Sequence, residues 1–211
     1  MSYFYYIISM IALALCLLTP SVIVVKRFNA LWNSKERIII LLLLTVILFE
    51  SVATFILWKY WISTSRIYDV LSFISIILII WWFQLYLKMK WLTVVSVVLV
   101  LTANILDLTY YSGLKTEFPL KSIAQAIVVI SSVFLLLKML LLSDLGSDLK
   151  KIRPFWISIG LLTYQITDMA LILFLPKLTR LDWEPNFVIT VMNILLYGCI
   201  AYAFSLRKEN E

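Results

Sequence analysis

The chain is dominated by long apolar runs that follow one another with only short polar connections. Seven of these runs are long enough to cross about 30 Å of hydrocarbon as helices that rise about 1.5 Å per residue. They fall at residues 3–25, 38–58, 67–87, 92–111, 122–142, 155–175 and 188–206. No run shows the apolar and polar alternation that is typical of a membrane β-barrel. The sequence therefore predicts an all-α fold, a polytopic transmembrane bundle of about seven helices.

The composition indicates a single transmembrane domain over residues 1–211. Hydrophobic residues make up 63% of the chain and charged residues only 14%, whereas a soluble domain of this size needs far more polar surface to cover its core. The connections between the runs are too short to hold a further domain. The lipid bilayer is accordingly the first expected partner.

The basic residues indicate an orientation in the membrane rather than a nucleic-acid partner. The net charge is +6, but the cations are scattered over short loops, so we expect no binding to nucleic acid. The first, third and fifth loops and the C-terminal tail carry more Lys and Arg than the other loops. The positive-inside rule then predicts an N-terminus outside the cytoplasm and a C-terminus inside it.

Histidine is absent, and the two cysteines are far apart. Without histidine, the chain cannot form imidazole-ligated metal sites, a histidine-ligated haem site or a Ser-His-Asp triad. Cys16 and Cys199 lie in separate apolar runs, which is not a metal-ligand spacing. We expect neither a metal site nor a cofactor.

Four carboxylates interrupt or border the apolar runs: Glu50, Asp69, Asp107 and Asp168. A charge at bilayer depth costs about 2.5–3.5 kcal/mol on insertion, so each of these residues marks a candidate functional site. In the predicted orientation all four fall in the outer half of the membrane. Gln125 falls there as well.

Amide side chains accompany the carboxylates on the same helix faces. Asn104 lies three residues before Asp107, and Gln165 lies three residues before Asp168, a spacing that places each pair on one side of a helix. Asn193 falls at a similar depth in the last run. The sequence predicts a polar pocket, open to the outside, that binds a small polar or cationic ligand through Glu50, Asp107, Gln165, Asp168 and Asn193.

Two other interpretations of these polar residues stay open. The side chains would serve as structural contacts if they hydrogen-bonded to one another or to backbone carbonyls between helices. They would serve as an acid and a base if the protein were an intramembrane hydrolase acting on lipid. No nucleophile elbow, metal motif or phosphate loop accompanies them, so we do not expect an enzyme.

Residues 118–174 resemble a group of uncharacterised small seven-helix membrane proteins of Bacteroidota. The shared features are a Phe-Pro pair before the fifth run, a Pro-Phe-Trp-Ile start of the sixth run, and then a Gly and a Leu-x-Tyr. Those positions are here Phe118, Pro119, Pro154, Phe155, Trp156, Ile157, Gly160, Leu162 and Tyr164. Members of the group look like sensing modules and have relatives linked to sensor kinases. The resemblance thus implies signalling from a bacterial inner membrane.

The order of the runs also resembles that of small sugar and amino-acid carriers, which are built as three helices, a linker helix and three more. Those carriers place a Pro-Gln pair in corresponding helices of each half. Here Pro20 is followed by Ser21, and Pro119 precedes the fifth run. No internal repeat relates residues 1–87 to residues 122–206.

The sequence leaves several functions open. The first is a membrane sensor or accessory subunit, which would need a separate signalling partner because no output domain is apparent. The second is a small transporter or a proton or cation pathway that uses Glu50 and Asp168. An intramembrane hydrolase and a purely structural role are the remaining alternatives.

Overall fold

The described part of the chain is almost wholly helical. The computed structural model describes residues 2–60, 65–107, 109, 120–178 and 185–206. Its α-helices are α1 (Ser2–Lys26), α2 (Phe28–Trp32), α3 (Arg37–Tyr60), α4 (Ser65–Leu87), α5 (Lys90–Leu106), α6 (Leu120–Leu142), α7 (Arg153–Leu178) and α8 (Pro185–Ser205). A 3₁₀ segment, Asp144–Lys151, joins α6 to α7. None of the described residues forms a strand, so the all-α prediction is confirmed.

Each of the seven apolar runs corresponds to one long helix. Helices suit such runs because a helix satisfies its backbone N–H and C=O groups internally, where lipid offers no hydrogen bonds. The ends differ by a few residues within the part of the chain that the structure describes, and residues 110 and 111 of the fourth run lie outside that part. The five-residue helix α2, in the connection between the first two runs, was not predicted.

Three helical segments of the described residues are long and apolar enough to cross a membrane: Arg37–Leu57, Arg66–Leu87 and Leu120–Leu142. Shorter apolar stretches lie at Ala14–Lys26, Lys90–Leu106 and Thr190–Ser205. Many large apolar side chains point away from the bundle, among them Leu48, Val94, Val98, Ile105 and Phe134. Because a soluble monomer rarely exposes so much contiguous apolar surface, these features support a membrane protein.

The helices pack as an incomplete ring. The helix α8 packs between α1 and α7, α6 packs against α7, α5 and α4, and α4 packs against α3. The ring closes only weakly, through a few close approaches of α3 to α1. Within the described residues α3 makes no extensive backbone contact with α7 or α8. A space is therefore left between these three helices.

One end of the bundle, here called the α2 end, is densely packed. It holds α2, the starts of α3, α5 and α7, and the ends of α1, α4, α6 and α8. The largest side chains that are fully buried in the described residues lie mainly in its half of the bundle, and they include Leu31, Ile38, Trp82, Leu136, Ile157 and Phe204. This apolar layer closes the bundle at the α2 end.

The C-terminal end of α8 is held at the α2 end by two arginines. Arg27 Nη1 donates to three successive carbonyl oxygens at distances of 3.2, 2.6 and 3.0 Å, those of Phe204, Ser205 and Leu206. Arg153 donates to the Leu206 carbonyl from Nη2 at 2.9 Å and from Nε at 3.3 Å. The last carbonyls of a helix lack partners within the helix and carry partial negative charge, so two guanidinium groups both satisfy and attract them.

A buried acidic side chain completes this cluster. Glu36 is only 2% exposed, accepts a hydrogen bond of 2.6 Å from the Tyr86 hydroxyl, and lies 3.9 Å from Arg153 Nη1. Arg153 is itself 7% exposed. The cluster thus connects the starts of α3 and α7 with the ends of α4 and α8.

Candidate ligand-binding site

A partly enclosed cavity of about 400 Å³ occupies the space between α3 and the pair α7 and α8. Parts of α4 and α6 complete its wall. Its volume lies within the range of roughly 300–1,000 Å³ that is typical of small-molecule sites. The packing of the helices explains it, because α3 is held by α4 on one side and stands away from α7 and α8 on the other.

Four of the five residues that the sequence predicted as ligand-binding lie on the wall of this cavity. Glu50 reaches it from α3, Gln165 and Asp168 from α7, and Asn193 from α8. Tyr164, one residue before Gln165 on α7, lies on the same wall. Two carboxylates from helices that are distant in sequence therefore converge on one space.

Asp107, the fifth predicted residue, does not line the cavity. Its Oδ1 accepts a hydrogen bond of 3.1 Å from the Leu120 N–H, and its Oδ2 accepts one of 3.0 Å from the Lys121 N–H. The rotation of α5 thus directs the carboxylate to the first turn of α6, where unpaired N–H groups attract an anion. Asn104 donates instead to the Val100 carbonyl of its own helix at 2.8 Å. Both side chains act as structural contacts in this arrangement.

Replacing Asp107 with alanine is expected to lower the free energy of unfolding by about 1 kcal/mol, because two N–H groups at the start of α6 lose their acceptor. Unfolding by sodium dodecyl sulfate in mixed micelles measures the change. The matched control is Asp69→Ala, which removes an exposed carboxylate that pairs with Lys121 at the same end of the bundle. An equal loss in the two variants would contradict a capping role for Asp107.

Two polar contacts order the wall near α4. The Tyr68 hydroxyl donates to Glu50 Oε2 at 2.9 Å, and the Ser72 hydroxyl donates to Gln125 Oε1 at 3.0 Å. The other amide atom of that glutamine, Nε2, is buried and has no hydrogen-bond partner in the described part of the chain. A buried amide donor without a partner costs about 1–3 kcal/mol. A bound water molecule or ligand would remove that cost.

Several further groups on the wall face the cavity without a protein partner. Gln165 is 8% exposed, yet its amide makes no hydrogen bond with any residue that the structure describes. The same holds, within those residues, for the partly buried carboxylate of Asp168, the amide of Asn193 and the hydroxyl of the buried Tyr197. The polar atoms of these side chains are accessible from the cavity, since the fully buried polar atoms without a partner in the described residues are those of Trp82, Gln125 and Ser158. These four side chains are therefore placed to bond to whatever fills the cavity.

The cavity is acidic. Among the described residues that line it there are two carboxylates and no lysine or arginine. The nearby cation Lys121 is not on the wall and pairs with Asp69. In the described part of the chain no three His, Cys, Asp or Glu side chains lie close enough together to hold a metal ion. The arrangement suits a ligand that brings positive charge or hydrogen-bond donors of its own.

Sequence reasoning missed the tyrosines on this wall. Tyr68, Tyr164 and Tyr197 line the cavity, and none of them was among the five residues predicted to bind the ligand. Tyr164 and Tyr197 lie near the middle of their runs rather than at the ends. That position was a signal in the sequence that they face the interior.

Other calls lie outside the described residues or are not tested by the geometry. Phe118 and Pro119, which carry part of the resemblance to the Bacteroidota proteins, fall outside the described ranges. Pro154, Gly160 and Tyr164 fall inside them, on α7. Comparisons with family models, with curated proteins and with solved structures find no match for this chain. The family resemblance therefore stays a prediction.

Proposed function

We propose that this protein is a membrane sensor or accessory subunit. Its acidic cavity binds a small polar or cationic ligand, and the α2 end of the bundle signals to a separate protein. The observation that carries the proposal is the convergence of Glu50, Gln165, Asp168 and Asn193 on one cavity. Most of their polar atoms have no partner among the described residues. A charge or amide is costly to keep at this depth without a function.

In this proposal the seven long helices cross a bacterial inner membrane, with the N-terminus outside and the C-terminus inside. The α2 end then faces the cytoplasm, because most of the cations at that end are exposed: Lys26, Arg37, Lys88, Lys90 and Lys150. This distribution follows the positive-inside rule. The polar part of the cavity consequently opens toward the outside.

The helix α8 offers a route for the signal. Asn193 and Tyr197 on α8 line the cavity, and about two turns further along the helix its last carbonyls bind Arg27 and Arg153. A ligand that draws Asn193 toward the carboxylates would shift this helix relative to α3 and α7. The shift would change the arrangement of the two arginines at the cytoplasmic end, where a partner would detect it.

Neutralising either carboxylate of the cavity is expected to lower ligand-dependent stabilisation to about half or less. The test measures the thermal midpoint of the purified protein in a nonionic detergent with sodium, choline, ethanolamine, putrescine or sorbitol. At a ligand concentration of about 100 times Kd the gain is about 2.7 kcal/mol, which raises the midpoint by several degrees. In Glu50→Gln and Asp168→Asn the affinity should fall about tenfold or more, because a ligand charge loses its partner.

The matched control is Asp148→Asn, since Asp148 is an exposed carboxylate at the α2 end, far from the cavity. It should keep the whole ligand-dependent shift. The proposal fails if neither the five compounds nor the organic ammonium ions tested below stabilise or bind to the unaltered protein. It also fails if both cavity variants keep the shift of the control.

The alternative is a small transporter or a proton or cation pathway that uses Glu50 and Asp168. The placement of both carboxylates on one cavity favours it. Alternating access also needs a polar route toward the cytoplasm, whereas apolar side chains line the floor of the cavity and large ones, Trp82 and Phe204, are fully buried toward the α2 end, with Ser158 as a buried polar residue in that half. Uptake of choline, putrescine or protons by proteoliposomes above the level of empty vesicles would favour this alternative over the sensor.

A further inference from the structure

The cavity is polar at one end and apolar at the other. On α3, Glu50 lies at the end away from α2, and Val46, Leu43 and Leu42 follow toward the α2 end. On α7, Asp168, Gln165 and Tyr164 likewise lie further from the α2 end than Leu161 does. Two helices that run side by side thus place their polar residues at the same level.

The two helices of opposite direction repeat this pattern. On α4, Tyr68, Ser72 and Ser75 precede Ile76 and Ile79, with Leu71 as the one apolar residue among the polar ones. On α8, Asn193 precedes Leu196 and Ile200, and the hydroxyl of Tyr197 is the one polar group at that depth. On α6 the lining residues Ser122 and Gln125 belong to the polar end.

The apolar part is deep enough to hold more than a bare ion. Seven residues separate Leu43 from Glu50, Leu161 from Asp168, and Asn193 from Ile200. At about 1.5 Å per residue each interval corresponds to about 10 Å along the helix axis. A hydrated inorganic cation would leave this apolar floor without a partner, and an ion such as Ca²⁺ requires six to eight oxygen ligands.

Resting on the function proposed above, we propose that the ligand is an amphiphilic organic ammonium compound. Its ammonium group binds Glu50 and Asp168 and donates to Gln165. Its alkyl or aryl tail lies against Leu43, Ile79 and Leu196 on the floor. The tyrosine rings of the wall add cation–π attraction for the ammonium group.

This chemistry excludes the zwitterionic headgroup of a phospholipid as the ligand. Such a headgroup carries a phosphate beside its ammonium group. None of the described residues on the wall is a cation that could pair with that phosphate. A single positive charge joined to an apolar tail matches two carboxylates above an apolar floor.

The test is isothermal titration calorimetry of the protein in a nonionic detergent with n-alkylammonium chlorides from methyl to octyl. Each methylene group that enters the floor should tighten binding about fourfold, until the tail fills the depth and the affinity stops rising. The n-alkanols of the same lengths should bind at least tenfold more weakly, since they lack the charge. Heats from partition into micelles are subtracted with the Glu50→Gln/Asp168→Asn double variant in the same detergent.

A variant of the floor gives an independent readout. Val46→Leu adds one methylene group to the wall between Glu50 and the floor, and should shorten the tail length of highest affinity. Equal affinities for short and long ammonium ions, or for alkanols and ammonium ions, would contradict the proposal that the ligand is an amphiphilic ammonium compound. If choline, ethanolamine or putrescine stabilises the protein while the alkyl series shows no chain-length dependence, only this inference fails. If neither set binds, the proposed function fails with it.

Discussion

Replacing Arg153 with methionine is expected to lower the free energy of unfolding by about 3 kcal/mol, because a buried carboxylate then loses its countercharge. Glu36 would stay 2% exposed, with the Tyr86 hydroxyl as its remaining bond. The Leu206 carbonyl would lose two donor atoms of Arg153 and keep only Arg27. The expected loss of stability is at the low end of the range for breaking a buried salt bridge, since the two charged atoms are 3.9 Å apart. Unfolding by sodium dodecyl sulfate in mixed micelles measures the loss.

The control for this change is Lys151→Met, two residues earlier. Lys151 is exposed and, among the described residues, pairs only with the exposed Asp148 at 3.3 Å, so its loss should change the stability by less than about 0.5 kcal/mol. The double variant Glu36→Gln/Arg153→Met removes both charges, and we expect it to lose less than Arg153→Met alone. A double variant less stable than Arg153→Met would show that the countercharge is not the cause.

The helices could be predicted well because the membrane leaves the backbone few choices. In lipid an apolar run of about 20 residues must satisfy its own N–H and C=O groups, so length and composition suffice to place it. The helix α2 escaped prediction because it lies in a connection, where polar residues and water allow the backbone several conformations.

The residues of the candidate site were only partly predictable, because one sequence does not fix how a helix is rotated. Spacing correctly placed Gln165 and Asp168 on one face, and that face lines the cavity. The same spacing joined Asn104 to Asp107, but α5 turns its carboxylate toward the start of α6. Depth in the membrane could be counted along the chain, whereas the direction of a side chain depends on the neighbouring helices.

The buried pair of Glu36 and Arg153 was missed for a related reason. Arg153 belongs to the fifth loop, one of those whose cations predicted the orientation. Glu36 lies in the first loop, where its neighbours in the sequence are Lys35 and Arg37. Nothing in the local sequence separates these residues from exposed charges. Their pairing depends on the approach of the starts of α3 and α7, which are far apart in the chain.

Replacing Gly160 with alanine is expected to lower the free energy of unfolding by about 1–3 kcal/mol, because α7 and α8 touch at this glycine. An added Cβ would lie 2.9 Å from Cys199 Cβ and 3.3 Å from the Leu196 carbonyl oxygen. Neither atom belongs to the far end of a flexible side chain, so the helices themselves must separate. Unfolding by sodium dodecyl sulfate measures the loss.

The chain provides a matched control and a rescue for this change. At Gly198, on the same helix pair, an added Cβ meets no atom within 4 Å. Gly198→Ala should therefore keep or slightly raise the stability, as alanine favours a helix more than glycine does. Combining Gly160→Ala with Cys199→Gly removes the shorter of the two contacts, so the double variant should lose less stability than the sum of the two single changes. If Gly160→Ala and Gly198→Ala behaved alike, close packing of α7 on α8 could not be the reason why residue 160 is a glycine.

Because Leu161 and Leu196 also line the cavity, separating the two helices should weaken the proposed ligand binding together with stability.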